Sequence, residues 1–127
     1  MSVMLFKKPY VIRHYERQTI DSEGYASAPY ADSMEMLNVQ PLTPDDLMAL
    51  PEGDRTVKRV KALGKGRLIS ADEFNGIPGD RLYYQGQWYE CKSSVMWDHT
   101  IVSHYRSDFA IIPQHEQEDP PSGGDRT

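Results

Sequence analysis

The sequence predicts one mainly β domain with a single short helix and long loops, and three observations support this. Its 127 residues suit one domain built around one hydrophobic core. Nine glycines and nine prolines interrupt the chain often, which favours turns over long helices. Segments rich in β-branched and aromatic residues lie between these breaks, and residues 81–92 have the pattern of a β-hairpin.

Composition excludes several classes of protein. The lone Cys91 excludes an internal disulfide framework, and the four histidines lack the spacing of zinc ligands. No apolar run approaches the roughly 18 residues of a transmembrane helix, and the order of MSVMLFKKP is wrong for a signal peptide. Nineteen acidic against fourteen basic residues argue against binding phosphate as the main role. We therefore expect a soluble protein of a reducing compartment.

The N-terminal half is expected to supply two strands separated by a loop. Residues 10–17 mix β-branched, aromatic and charged side chains, as a strand with one solvated face does. Residues 21–32 are small, polar and broken by glycine and proline, which predicts an exposed loop. Residues 33–39 alternate weakly and predict the second strand.

One short helix follows. Thr43 can cap it, Pro44 suits its first position, and Asp45 and Asp46 favour the positive end of its dipole. Pro51 ends it after about two turns, a length that is unstable in isolation. We therefore expect the helix to dock on the rest of the domain.

The C-terminal half predicts three further stretches of strand. Residues 56–63 lean towards a strand, and residues 64–79 form breaks and a turn-rich loop. Residues 81–92 form the hairpin, and residues 100–112 form a closing strand that Pro113 ends.

The hairpin predicts its own register. A two-residue turn at Gln85 and Gly86 pairs Tyr84 with Gln87, Tyr83 with Trp88, Leu82 with Tyr89, and Arg81 with Glu90. That register gathers Leu82, Tyr84, Tyr89 and Cys91 on a core face. Glutamine disfavours positive φ, so a bulged turn with Gly86 left-handed is the alternative.

Polar motifs with possible chemistry are few. Residues 64–67 (GKGR) lack the serine or threonine that a phosphate-binding Walker loop places after its lysine. His14, His99, His104 and His115 have no ligand spacing, and no nucleophile, base and orienting group can be placed together. Cys91 falls on the core face of the hairpin, where an inert thiol is expected. We predict no enzyme activity, no cofactor and no metal.

In order and spacing, the features of residues 10–112 resemble the head-completion (stopper or head–tail joining) family of tailed-bacteriophage connector proteins. The matching parts are an opening strand with Tyr15 and Arg17 before a Gly24 loop, VQPL (39–42) before a capped helix, LPEG (50–53), GDRLYYQGQWY (79–89) and HYR (104–106). The resemblance implies a small antiparallel β-barrel or sandwich.

The same resemblance implies a structural role in the virion neck. The protein would form a closed ring, twelve-fold or six-fold, that closes the portal channel, retains packaged DNA and docks the tail. Its partners would be portal and adaptor proteins on the head side and the tail terminator or tail tube on the other. Double-stranded DNA would pass through the lumen without sequence-specific contact. Assembly would take place in the cytoplasm of the bacterial host, without a membrane.

Site residues are expected on that basis. Loop residues that could reach into the channel are Lys65, Arg67, Asp72, Glu73 and Asn75. Rings and cations that could anchor subunit interfaces are Tyr83, Trp88, Trp97 and Arg106. Acidic residues of the tail that could contact neighbouring subunits are Glu116, Glu118 and Asp119.

Residues 1–112 are expected to form the β domain, with residues 1–9 as an N-terminal arm. Residues 114–127 contain no apolar residue apart from two prolines, so we expect residues 113–127 to be ordered only by partners.

Two alternative functions stay open. The first is a tail terminator or minor tail protein from the same part of the virion. The second is an OB-like binder of single-stranded nucleic acid, which would stack bases on Tyr83 and Trp88. Its backbone contacts would come from residues 55–67, which hold six of the fourteen basic residues. Only this alternative predicts nucleic-acid affinity that falls steeply with salt.

Overall fold

A computed structural model describes residues 7–16, 19–20, 22–24, 26–27, 29–53, 57–71, 78–99 and 102–121. Eight strands and one α-helix follow one another along these residues. They are β1 (Lys8–Tyr15), β2 (Thr19–Ile20), β3 (Ala26–Ser27), β4 (Tyr30–Pro41), α1 (Pro44–Met48), β5 (Arg59–Gly64), β6 (Arg81–Tyr84), β7 (Gln87–His99) and β8 (Val102–Ile111).

Six of the strands close into an antiparallel barrel in the order β1, β4, β5, β8, β7, β6. Strands β2 and β3 form a small separate ribbon. The protein is mainly β, which confirms the predicted class, and the closed ring of six strands selects the barrel over the sandwich.

The barrel closes through β1, which pairs with β4 along its whole length and with β6 at residues 11–13. Alternate residues of β1 therefore face opposite ways: Tyr10 and Ile12 enter the core, while Val11 and Arg13 lie outside it. Burying each large side chain contributes roughly 1.5–3 kcal/mol. The main core consists of Tyr10, Ile12, Leu37, Val60, Ala62, Leu68, Leu82, Tyr89, Cys91 and Phe109.

The β6–β7 hairpin has the predicted register, and all four predicted pairs are present. Gln85 and Gly86 have φ angles of 51° and 80°, so both turn residues are left-handed and the two-residue turn is confirmed over the bulged alternative. Tyr83 and Trp88 pack with their ring centroids 5.0 Å apart.

The helix begins as predicted but is shorter. Thr43 caps it by accepting a hydrogen bond from the Asp46 backbone (3.1 Å), and the Asp46 carboxylate accepts one from the Thr43 backbone (2.9 Å). It ends at Met48, with no residue buried, so a single turn replaces the expected two. It docks through charge instead, because Asp46 pairs with Lys61 at 2.9 Å and with Arg106 at 3.2 Å.

Two strands exceed their predicted limits. Residues 30–32, expected in a loop, belong to β4 because they pair with residues 13–15 of β1. Strand β7, expected to end near residue 92, continues to His99 as a long hairpin with β8. A bulge between Cys91 and Ser93 shifts the register within this hairpin.

The described part of the polar tail, residues 113–121, packs against the barrel of its own chain. A 3-10 turn (Gln114–Glu116) leads to Gln117 and Glu118, whose side chains bind groups of β1, β6 and β7. For these residues, hydrogen bonds to the barrel of the same chain replace the missing apolar contacts, while the prediction that other subunits order the tail stays a prediction.

Candidate functional site

The loop between β5 and β6 leaves one end of the barrel on two stems, residues 65–71 and 78–80. Lys65 and Arg67 are exposed on the first stem. Leu68 then turns inwards and is only 4% exposed, and its backbone N–H donates to Ser94 Oγ (3.1 Å). The predicted loop residues Asp72, Glu73 and Asn75 lie outside the described residues.

Asp80 joins the two stems. Its backbone N–H donates to the Ile69 carbonyl (2.8 Å), and its Oδ2 accepts from the Ile69 backbone N–H (2.9 Å). Cys91 extends the contact to β7, because its N–H donates to the Asp80 carbonyl (2.8 Å) and its carbonyl accepts from Ala71 (3.2 Å). We call this set of bonds the clasp.

Gly79 allows the stems to approach this closely. A Cβ atom at this position would lie 2.7 Å from the Ala71 backbone nitrogen and 2.9 Å from the Cys91 carbonyl oxygen. Both atoms belong to the clasp, so neither can move away without lengthening its bond. A residue without a side chain is therefore required here.

His14 and Ser33 extend the clasp across the mouth of the barrel. His14 Nδ1 lies 3.0 Å from Asp80 Oδ1, and its Nε2 lies 3.2 Å from Ser33 Oγ. Asp80 Oδ1 accepts no aligned hydrogen bond from the described residues, so His14 and Asp80 are in close contact without a hydrogen bond between them. Ser33 donates instead to Glu35 Oε2 (3.3 Å). Ser33, His14 and Asp80 thus stand in the order of a catalytic triad, but the Glu35 carboxylate competes with His14 for the serine proton. Ser33 is therefore not set up as an activated nucleophile.

A second polar cluster lies outside the barrel, around Arg13. Its side chain is buried, and its guanidinium carbon lies 4.0 Å from the centre of the Tyr30 ring and 4.5 Å from that of Trp88. It donates twice to Asp32 (2.7 and 3.0 Å) and once to Glu118 (3.0 Å). The hydrogen bonds to Asp32 raise the pKa of Arg13 above its ordinary value, and the nearby carboxylates outweigh its desolvation.

Glu118 of the tail is the shared acceptor of this cluster. Besides Arg13, it accepts hydrogen bonds from the Arg81 guanidinium and the Tyr15 hydroxyl. Burial, together with the hydrogen bond to Glu118, raises the pKa of Tyr15 to about 12. A tail carboxylate thus lies among two guanidiniums and a phenol that belong to β1 and β6.

The neighbouring tail residues bind Trp88. The Gln117 side chain accepts from the Trp88 backbone N–H (2.8 Å) and donates to the backbone carbonyls of Trp88 (3.1 Å) and Ile112 (2.7 Å). The Trp88 indole N–H donates to the Asp119 carbonyl (3.1 Å). Pro121 is also buried.

These contacts bear on two predictions. Trp88 is 0% exposed and Tyr83 is 7% exposed with the tail in place, so their rings offer no free surface for stacking a base. Glu118 binds its own barrel in the single chain, and its contact with a neighbouring subunit stays a prediction.

Other predicted residues lie apart. Arg106 binds Asp46 and Asp108 at the base of the long hairpin, and Glu116 is exposed beside His115. Asp119 contributes a backbone carbonyl, and the Trp97 side chain lies outside the described residues. The structure therefore places the tail against Trp88 of the hairpin, but it does not gather all the predicted interface residues on one surface.

Sequence reasoning missed Arg13, Asp80 and His14 as site residues. The described residues hold no group of three or more His, Cys, Asp or Glu side chains arranged to bind a metal ion. None of the helices in the described part of the chain has the length and hydropathy needed to cross a membrane. Comparison of the sequence with protein-family models and with curated proteins finds no match.

Proposed function

We propose that this chain is a structural subunit of a tailed-phage neck: a ring-forming head-completion protein that closes the portal channel, retains packaged DNA and docks the tail. The observation that carries the proposal is the clasp, which fixes both stems of the β5–β6 loop at one end of a closed barrel. A channel ring needs a rigid subunit, and the clasp holds the stem that carries the exposed Lys65 and Arg67 against the barrel wall.

Charge distribution also supports the proposal. A subunit with a formal net charge of −5, repeated around a ring, gives a lumen that repels DNA phosphates and lets DNA slide. Lys65 and Arg67 are exposed at the stem of the loop. They would place positive charge where the loop meets the DNA end, so that DNA is held there and repelled elsewhere.

Exposed apolar side chains support self-assembly. Among the described residues, several large apolar side chains that are more than half exposed lie on two strands: Tyr30, Met34 and Met36 on β4, and Val95 and Met96 on β7. Tyr30, Met34 and Met36 are separated by even numbers of residues and so share one face of β4, where they are available for contact with another copy.

The test is binding to DNA-filled, tailless heads of the phage that encodes the chain. Mass photometry of the protein alone and with heads should show saturable binding, and the heads should then retain their DNA during nuclease treatment. Binding to tail tubes instead of heads would favour the terminator role. Failure to bind either particle would contradict a role in the neck.

A further inference from the structure

The tail occupies a groove whose fit is specific at successive positions. We call the surface formed by Arg13, Tyr15, Arg81, Tyr83 and Trp88 the tail groove. It pairs an amide with the Trp88 backbone, a carboxylate with two guanidiniums, and a carbonyl with the indole N–H. The side chains of Gln117 and Glu118 and the backbone of Asp119 supply these partners in order, so the groove fits an amide followed by a carboxylate.

The groove also has to be covered. Arg13 is 5% exposed and Trp88 is fully buried, and Glu118 and Asp119 contribute to covering them. Withdrawing the tail would uncover part of the Trp88 ring and remove one carboxylate from Arg13 and Arg81. Exposing apolar surface and losing ion pairs are unfavourable, so a subunit that loses its own tail has reason to bind another.

The link between barrel and tail suits an exchange. Ile112 is the last buried residue of the barrel, and Pro113 with the exposed 3-10 turn Gln114–Glu116 connects it to the tail. A tail from a second copy would make the same contacts at residues 117–119, so exchange costs at most the two backbone hydrogen bonds of the turn, from Glu116 to Pro113 and from Gln117 to Gln114. The remaining cost is the entropy of association, which other contacts between copies can offset.

We propose that the tail groove binds residues 117–121 of a second copy of this chain, and that in the ring each copy fills the groove of its neighbour. Charge complementarity selects this occupant, because Arg13 and Arg81 face the glutamate that the chain itself supplies. Each copy gives one tail and receives one, which is the head-to-tail geometry that closes rings. The ring itself rests on the proposed function.

A charge exchange between two full-length variants tests the proposal. Arg81→Glu reverses a groove charge, and Glu118→Arg reverses the tail charge. Each variant alone should assemble poorly. In a mixture, the Glu118 tail of the first fits the Arg81 groove of the second, and the Arg tail of the second fits the Glu groove of the first. We expect species of at least twice the subunit mass in the mixture, measured by analytical ultracentrifugation, and not in either variant alone.

Two controls accompany the mixture. The double variant Arg81→Glu/Glu118→Arg restores the charge pair within one chain and shows that the groove tolerates exchange without unfolding. A mixture of Lys92→Glu with Glu116→Arg alters exposed charges outside the groove and should behave as the wild type. If the Arg81→Glu and Glu118→Arg mixture shows only the species seen in each variant alone while the wild type binds heads, the tail binds only its own subunit. The inference is then wrong and the proposed function is unaffected. If the mixture associates but the wild type binds no heads, the proposed function is wrong and the tail exchange is unaffected.

A peptide measurement covers the case in which a reversed charge prevents folding. Full-length Glu118→Ala has a weakened tail of its own, so a fluorescent peptide of residues 113–121 should bind it saturably. Adding Arg81→Ala should weaken this binding about tenfold or more, as should replacing the peptide's glutamate at position 118 with glutamine. Absence of saturable binding, or binding that neither change affects, would overturn the proposal.

Discussion

Cys91 lies in the barrel wall with its side chain fully buried, and burial raises the pKa of its thiol to about 12, helped by the charge of Asp80. At pH 8 such a thiol is ionised in only about one molecule in ten thousand. We therefore expect the native protein to react with Ellman's reagent only as fast as it opens. Unfolded protein in guanidinium should release one equivalent of chromophore at once, and equally rapid reaction of the native protein would contradict the buried site.

The close packing around Gly79 predicts that one added methyl group lowers the stability of the protein strongly. Gly79→Ala places Cβ against two backbone atoms of the clasp, so we expect the free energy of unfolding to fall by about 1–3 kcal/mol. Urea denaturation measures this. Gly66→Ala is the matched control in the same loop, because a Cβ there meets no atom within 4 Å. Equal stability of the two variants would show that the stems do not pack as described.

The helix is the element whose attachment depends most on pH. Burial opposes ionisation of Asp46, but hydrogen bonds from Lys61 and Thr43 and the charge of Arg106 together lower the pKa of its carboxyl below the ordinary value. A lowered folded-state pKa stabilises the protein at any pH above the unfolded value of about 3.9, and this contribution is lost as the pH falls below it.

Asp46→Asn removes that titration. We expect the variant to be less stable than the wild type at pH 7 by about 1–2 kcal/mol, and the difference to shrink below about pH 4. Thermal unfolding across pH 2–7 measures both quantities. Asp45→Asn changes an exposed neighbour in the same turn and should leave the pH profile unchanged. A difference that stays constant with pH would contradict the proposed linkage.

The hairpin turn contains a local conflict that can be relieved. Gln85 adopts a φ of 51°, a region that asparagine tolerates better than glutamine. Gln85→Asn should therefore raise the free energy of unfolding by a few tenths to about 1 kcal/mol, measured by urea denaturation. An unchanged or lower stability would show that the glutamine side chain contributes contacts that outweigh the strain.

Elements that depend on neighbouring residues could be predicted from the sequence. The hairpin register and the Thr43 cap arise from residues a few positions apart, and both were predicted. The start of β4 and the length of β7 could not be, because distant strands extend them: β1 pairs with residues 30–32, and β8 carries β7 to His99.

The site residues depend on distant partners even more than the strand ends do. Glu118 contacts Arg13 and Tyr15, which lie more than 100 positions away, and His14 of β1 meets Asp80 beside the neighbouring strand β6. A polar tail without apolar residues gives no sign that its side chains will find buried partners. Trp88 was predicted to anchor a subunit interface, because no residue near it in the sequence shows that the folded tail covers it.

At the scale of the whole molecule, the proposed neck function makes a prediction about DNA retention. Lys65→Glu/Arg67→Glu reverses the exposed charges at the loop stem, so the ring should still bind heads but release more of their DNA. Nuclease sensitivity of the bound heads measures the release. Lys58→Glu/Lys92→Glu makes the same charge change at exposed positions away from the loop and should retain DNA. If both double variants retained DNA equally well, the charges of Lys65 and Arg67 would have no part in closing the channel.

The clasp has a consequence for how such a protein can change over time. Asp80 and Gly79 join the stems to each other and to β7 through backbone contacts. A side chain at position 79 would disturb both stems at once, whereas Lys65 and Arg67 are exposed on the outside of the first stem. We therefore expect related sequences to vary at positions 65 and 67 while they keep glycine at position 79.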